Sequence, residues 1–98
     1  MNKKVEDGLQ ILSKETNFPI EKLSDAYNRI VKSQTMDSYD IQYWHDIGVP
    51  IVMTLGKVLN KSHYDIMKMV SNGEINISNL DQSIIHLTCE GGLFGLKQ

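Results

Sequence analysis

The chain has 98 residues, 41% hydrophobic and 22% charged, a composition that suits one small globular domain and excludes a disordered or collagenous chain. Ten lysines and arginines against twelve carboxylates give a net charge of −2 with a single arginine, Arg29, so composition offers none of the strong basic excess on which duplex DNA binding usually rests. The longest apolar run, Val49 to Leu55, falls far short of the roughly 20 residues of a bilayer span, the N-terminus shows no apolar targeting core, and Cys89 has no second cysteine to pair with, so synthesis inside a cell without membrane insertion is expected.

Val5, Leu9 and Leu12 recur at i, i+4 and i+7, which predicts a first helix over about residues 3–15, with Glu6 and Asp7 near its start where the helix dipole favours anions. Phe18-Pro19 then punctuates the chain, and proline suits a first helical turn. Ile20, Leu23, Tyr27, Ile30 and Val31 line one face of a second helix that runs to about residue 33. A third helix is predicted from near Thr35, with Tyr39, Tyr43 and Ile47 on its apolar stripe, Trp44 beside that stripe, and Gly48 as a left-handed cap.

Pro50 opens a fourth helix whose apolar face is Val52, Leu55, Val58 and Leu59, and Asn60 ends it. Ser62 with Asp65 has the spacing of a capping box, and Ile66, Met69 and Val70 continue a fifth helix that Gly73 terminates. Ser78 with Asp81 repeats the spacing and predicts the start of a sixth helix through Leu80, Ile84 and Leu87, ending at Glu90-Gly91-Gly92. Only Ile75 and Ile77 hint at a short extended piece, and the spacing leaves the closing "LFGLKQ" unassigned. The sum is an all-α domain: five to six short helices joined by connections of about two to six residues.

Few residues gather in patterns that chemistry requires. His86 and Cys89, at i and i+3, could join His63 as three zinc ligands, but no CxxC or HExxH accompanies them and no fourth ligand is marked by spacing. The expected arrangement is a half-buried thiol beside a surface histidine. Cys89 with His86 as base lacks an orienting group and an oxyanion donor set. Asp37, Asp40 and Asp46 read as the solvated side of the third helix rather than as an acid/base pair. "EGGLFG" has neither the preceding strand nor the lysine of a phosphate loop and reads as a helix stop. Met53, Met67, Met69 and the aromatic residues are expected in the core or at its edge, with one or two left to a partner surface. No catalytic, cofactor-binding or metal residue is therefore assigned, no cofactor is expected, and an enzyme is not.

The fourth and fifth helices, "LGKVLNKSHYDIMKMVSNGEI", are punctuated much like a helix-turn-helix, which keeps a small DNA-binding regulator as the alternative reading. The fifth helix would then present His63, Tyr64, Asp65, Lys68 and Ser71. That is one lysine and one carboxylate where a reading helix normally brings arginine, lysine, asparagine or glutamine.

The order of these punctuation marks resembles a domain near the N-terminal part of phage and prophage tail tape measure proteins. The residues that carry the resemblance are Gly48-Val49-Pro50, Leu59 with Ser62, Gly73-Glu74-Ile75, and Gly91-Gly92 with Phe94, preceded by Leu23, Tyr27 and Arg29. It covers about residues 14–95. Asn60 stands where that family often has glycine, and Pro19 where it often has a serine-type cap. The resemblance implies that residues 1–98 are a single helical domain excised from a much longer tape measure chain. It further implies a structural role in tail assembly and tail-length determination through contacts with tail tube and tail assembly proteins and with copies of itself. Nucleic acid and membrane are not expected as partners of this fragment, and the place would be the virion tail after synthesis in the bacterial host cytoplasm.

Overall fold

In the computed structural model of the chain, which describes residues 2–95, six helices follow one another: α1 Lys3–Thr16, α2 Ile20–Ser33, α3 Ser38–Asp46, α4 Ile51–Leu59, α5 His63–Ser71 and α6 Ile77–Thr88. The described residues contain no strand, and the protein is all-α. Caps set most of the boundaries. Asn2, Asp37, Ser62 and Asn76 accept first-turn amide N–H bonds at helix starts, while Asn17, Gln34 and Asn60 take left-handed backbone at helix ends. The proline starts of α2 and α4 have no side-chain cap; the Pro19 carbonyl accepts from the Lys22 and Leu23 amides and the Pro50 carbonyl from the Thr54 amide.

The core is one cluster fed by every helix. Val5, Leu9 and Leu12 of α1, Leu23, Tyr27 and Ile30 of α2, Trp44 of α3, Ile51 and Leu55 of α4, Ile66 of α5, and Leu80, Ile84 and Leu87 of α6 are all buried in it. α6 is central, lying against both α1 and α4. Where α1 crosses α6, Gly8 leaves no room for a side chain: a Cβ there would lie 2.6 Å from Ile84 Cγ2 and 2.8 Å from Thr88 Oγ1. Tyr27 ties α2 to α6 through a polar bond, its hydroxyl donating to Asp81 Oδ1 at 2.6 Å. Burial, then the bond to the Asp81 carboxylate and its charge, pushes the Tyr27 hydroxyl well above the ordinary tyrosine value.

The sixth helix starts otherwise than Ser78 and Asp81 suggest. Its N-cap is Asn76, in a reciprocal box with Asn79 (amide to side-chain distances 3.0 and 2.9 Å), and the Asp81 carboxylate is engaged by Tyr27 instead. The stripe expected on α3 is also displaced. Its buried residues are Asp40, Ile41 and Trp44, whereas Tyr39 is 60% exposed and Tyr43 and Ile47 are half-buried. Trp44, fully buried, fills the core in place of the expected stripe of tyrosines. On α4 the buried face is Ile51, Val52, Thr54 and Leu55, with Val58 and Leu59 only partly covered, and Val31 of α2 lies at the surface.

The extended piece hinted at by Ile75 and Ile77 is a single antiparallel bridge between Thr35 and Asn76. The Met36 amide donates to the Ile75 carbonyl at 2.9 Å and the Ile77 amide to the Gln34 carbonyl at 3.0 Å, joining the α2–α3 and α5–α6 connections. At the other end of α6, Gly91 to Gly95 fold back on the helix. The Phe94 amide donates to the Leu87 carbonyl at 2.8 Å and its ring packs against the core. A Cβ on Gly92 would collide with the His86 and Leu87 carbonyls, and one on Gly95 with the Cys89 carbonyl, so this stop depends on residues without side chains. Of "LFGLKQ", residues 96–98 lie outside the described residues.

Candidate interaction surface

Two surfaces hold most of what the fold leaves unpartnered. The first is the hairpin of α4 and α5. Asn60, at φ 57° and ψ 52°, and the Lys61 amide, which donates to the Gly56 carbonyl at 2.9 Å, close the turn. Ser62 Oγ then accepts from the Asp65 amide at 3.1 Å, as a single-sided cap rather than a reciprocal box. The helix ends with Gly73 at φ 69°, where the Glu74 amide donates to the Met69 carbonyl at 2.8 Å. With both ends fixed, α5 turns Ile66 and Val70 inward and leaves His63, Tyr64, Asp65, Lys68 and Ser71 exposed, Tyr64 at 73%. A shallow groove between the helices is lined by Val52, Met53, Gly56, Lys57, Lys61 and His63, with Asn60 at its end, and Met53 is 49% exposed.

The second surface joins α2 and α3. Asp37 caps α3 in a reciprocal box with Asp40: the Asp40 amide donates to Asp37 Oδ1 at 2.9 Å and the Asp37 amide to Asp40 Oδ2 at 3.0 Å. Asp40 is buried, contrary to the expectation of a solvated carboxylate face, and Arg29 Nε lies 3.2 Å from its Oδ1. The guanidinium sits 4.4 Å from the Tyr39 ring centroid, and Tyr39 stacks on Tyr43 with centroids 6.4 Å apart. Burial pushes the Asp40 carboxyl up, opposed by the Asp37 amide bond and the Arg29 charge. The Asp40 amide bond pulls Asp37 below the usual carboxylate range. Asp46, by contrast, is exposed and accepts from Gln42 Nε2 at 2.7 Å.

The residues weighed as metal ligands or nucleophile are spread out. His63 is on α5, and His86 and Cys89 are at the end of α6. Cys89 is exposed rather than half-buried, because α6 ends at Thr88 and extended backbone at Cys89 carries it off the helix face, where its Sγ–H points to the His86 carbonyl at 3.4 Å. Among the described residues no three His, Cys, Asp or Glu side chains converge on a point that could hold a metal ion.

No family model, curated protein or solved structure matches the chain.

What the two surfaces offer is recognition chemistry. Exposed aromatic and thioether groups beside lysines, and an arginine held by a carboxylate and a ring, are the residue types enriched in protein contacts. The burial of Asp40 beside a half-exposed Arg29 is beyond the reach of periodicity, which treats every aspartate as polar surface. The Asp37–Asp40 spacing, the same as that of Ser62–Asp65, was the available signal for a cap.

Proposed function

We propose that the chain is a structural and assembly domain of a phage or prophage tail tape measure protein, acting in tail assembly and tail-length determination through protein–protein contacts. The observation that carries this reading is a coincidence of motif and backbone. Residues of the resemblance fall where the backbone asks for particular residue types: left-handed backbone at Gly48, Gly73 and Gly91, the Ser62 cap, and the fold-back at Gly92, while Asn60 supplies left-handed backbone where the family often has glycine. Each such cap is common among helices, and it is their order and spacing along the chain that support the reading. On this reading the partners are tail tube and tail assembly proteins and further copies of the domain, its place is the virion tail after synthesis in the host cytoplasm, and no catalytic step belongs to it.

The competing reading is a small helix-turn-helix DNA-binding regulator, supported by the α4–α5 hairpin itself. The exposed side of α5 weakens it, since Lys68 is accompanied by Asp65. Titration of labelled random duplex at low and moderate salt separates the two. Affinity weaker than the roughly 10⁻⁴ to 10⁻⁶ M of non-specific DNA binders is expected. Micromolar binding with a steep salt slope that Lys61→Ala or Lys68→Ala flattens would overturn the tail reading, and co-purification with tail tube or tail assembly proteins is its positive test.

A further inference from the structure

We infer that the groove between α4 and the start of α5 is a docking site for an acidic amphipathic helix of a partner protein. This rests on the reading of the chain as a protein-contact domain and names the chemistry of one contact. The sign of the partner comes from the lining. Lys57 and Lys61 stand on the groove with His63, and no carboxylate lines it. The neighbouring depressions differ: Asp65 and Glu74 line the one along α5, Asp25 those beside α2, and Asp7 the one between α1 and α6. In a chain of net charge −2, a depression with cations alone selects an anionic occupant.

The apolar side of the partner follows from the floor. Val52 shows its edge there, Gly56 contributes no side chain, and Met53, half exposed, is an unbranched thioether that adapts to whatever it meets. Tyr64, the most exposed of the large apolar side chains, follows His63 in the first turn of α5 and leaves a second apolar group open to solvent on the hairpin. A depression along α4 with Val52 and Met53 as its apolar floor suits side chains at i, i+3, i+4 and i+7 of a partner helix, and the described residues offer no open sheet edge for an extended strand. A duplex would meet the same lysines but has no use for the floor and would bring phosphates toward Asp65 on the same hairpin. The groove is also preformed, since Asn60, the Lys61 amide bond and the Ser62 cap fix the two helices before any partner arrives.

The test is a backbone-amide NMR titration of the whole 98-residue chain with a synthetic helical peptide of about 14 residues, leucine at the four anchor spacings and glutamate elsewhere. Its lysine-for-glutamate twin, polyglutamate and a random duplex serve as the other arms. The expected result is saturable binding of the Leu/Glu peptide with the largest shifts over residues 52–64, weakened at least about tenfold by Lys57→Glu with Lys61→Glu. Met53→Ser should weaken this peptide and leave polyglutamate unchanged. No saturable binding, equal binding of the lysine twin, or shifts centred elsewhere would overturn the inference and leave the tail reading standing if the duplex also fails to bind. Polyglutamate binding as tightly as the Leu/Glu peptide would reduce the groove to a general polyanion site and overturn it as well. Duplex binding at these residues would overturn both.

Discussion

The α1–α6 crossing and the α4–α5 hairpin are built on opposite principles. At the crossing, Gly8 brings two helices so close that Ile84 and Thr88 fill all available space, and α6 supplies Leu80, Ile84 and Leu87 to the core. In the hairpin, α4 gives the core Ile51, Val52 and Leu55, but α5 gives only Ile66 and Val70 and is set by Ser62 and Gly73 at its ends, with Asn60 closing the turn before it. Packing specifies the first region, and backbone chemistry the α5 half of the second. Side chains on the outer face of the hairpin are thus free of structural duty, and that is where Met53, Tyr64, Lys57 and Lys61 stand.

The largest expected effect tests the packing side of the contrast. Ile84→Ala should cost about 2 to 5 kcal/mol by chemical denaturation, because a fully buried side chain leaves a cavity. Tyr64→Ala should stay within about 0.5 kcal/mol. Comparable losses from the two would erase the distinction. Next comes the backbone side: Gly73→Val should destabilise by at least about 1 to 2 kcal/mol, since a β-branched residue is forced to φ 69°. A neutral result would mean that the end of α5 relaxes without cost.

Smaller effects sharpen the contrast at the caps. Ser62→Ala and Asn76→Ala should each cost roughly 0.5 to 2 kcal/mol, whereas Ser78→Ala should fall within about 0.5 kcal/mol because Asn76 holds the cap of α6. Denaturation midpoints ordered otherwise would move the start of that helix. The smallest effect concerns acid. The Asp37 carboxyl is held below its ordinary value by the amide bond it accepts, so it stabilises the fold above the ordinary carboxylate pKa of about 3.9, and this is lost as pH falls through the lower folded value. Asp40, pushed up by burial, works in the opposite sense and softens the loss. Asp37→Asn keeps a capping oxygen without the charge, so its melting temperature should fall less between pH 5 and pH 2, a range set by those carboxylates. An unchanged acid limb would remove Asp37 from the account.

The number, order and approximate ends of the helices could be read from the sequence because short-range chemistry dictates them. Apolar spacing marks the inward faces of α1, α2 and α5, and Asn60, Ser62 and Gly73 stand at turns that need those residue types. The failures are tertiary. Asn76-Asn79 and Ser78-Asp81 have the same box spacing two residues apart, and the choice between them depends on Tyr27, distant in sequence, which claims Asp81. Which side of α3 faces in depends on the partners that the buried Asp40 carboxylate finds, the Asp37 amide and the half-exposed Arg29. The groove on the hairpin is half legible: Met53, the lysines and the turn from Asn60 to Ser62 can be read from the sequence, but not the approach of the Lys61 carbonyl to Gly56, where a Cβ would lie 2.8 Å from it.

The Thr35–Asn76 bridge bears on how the molecule opens. Met36 belongs to the α2–α3 connection and Ile77 opens α6, places where amide protons ordinarily trade with solvent within reach of local fluctuations. Here each proton is held by a carbonyl from a distant part of the chain, at 2.9 and 3.0 Å, and Met36 and Ile75 are buried. Releasing either one means parting the end of α2 from the start of α6. Hydrogen–deuterium exchange at Met36 and Ile77 should thus be as slow as in the middle of α6, so that a linker and a helix's first residue become reporters of the global unfolding event.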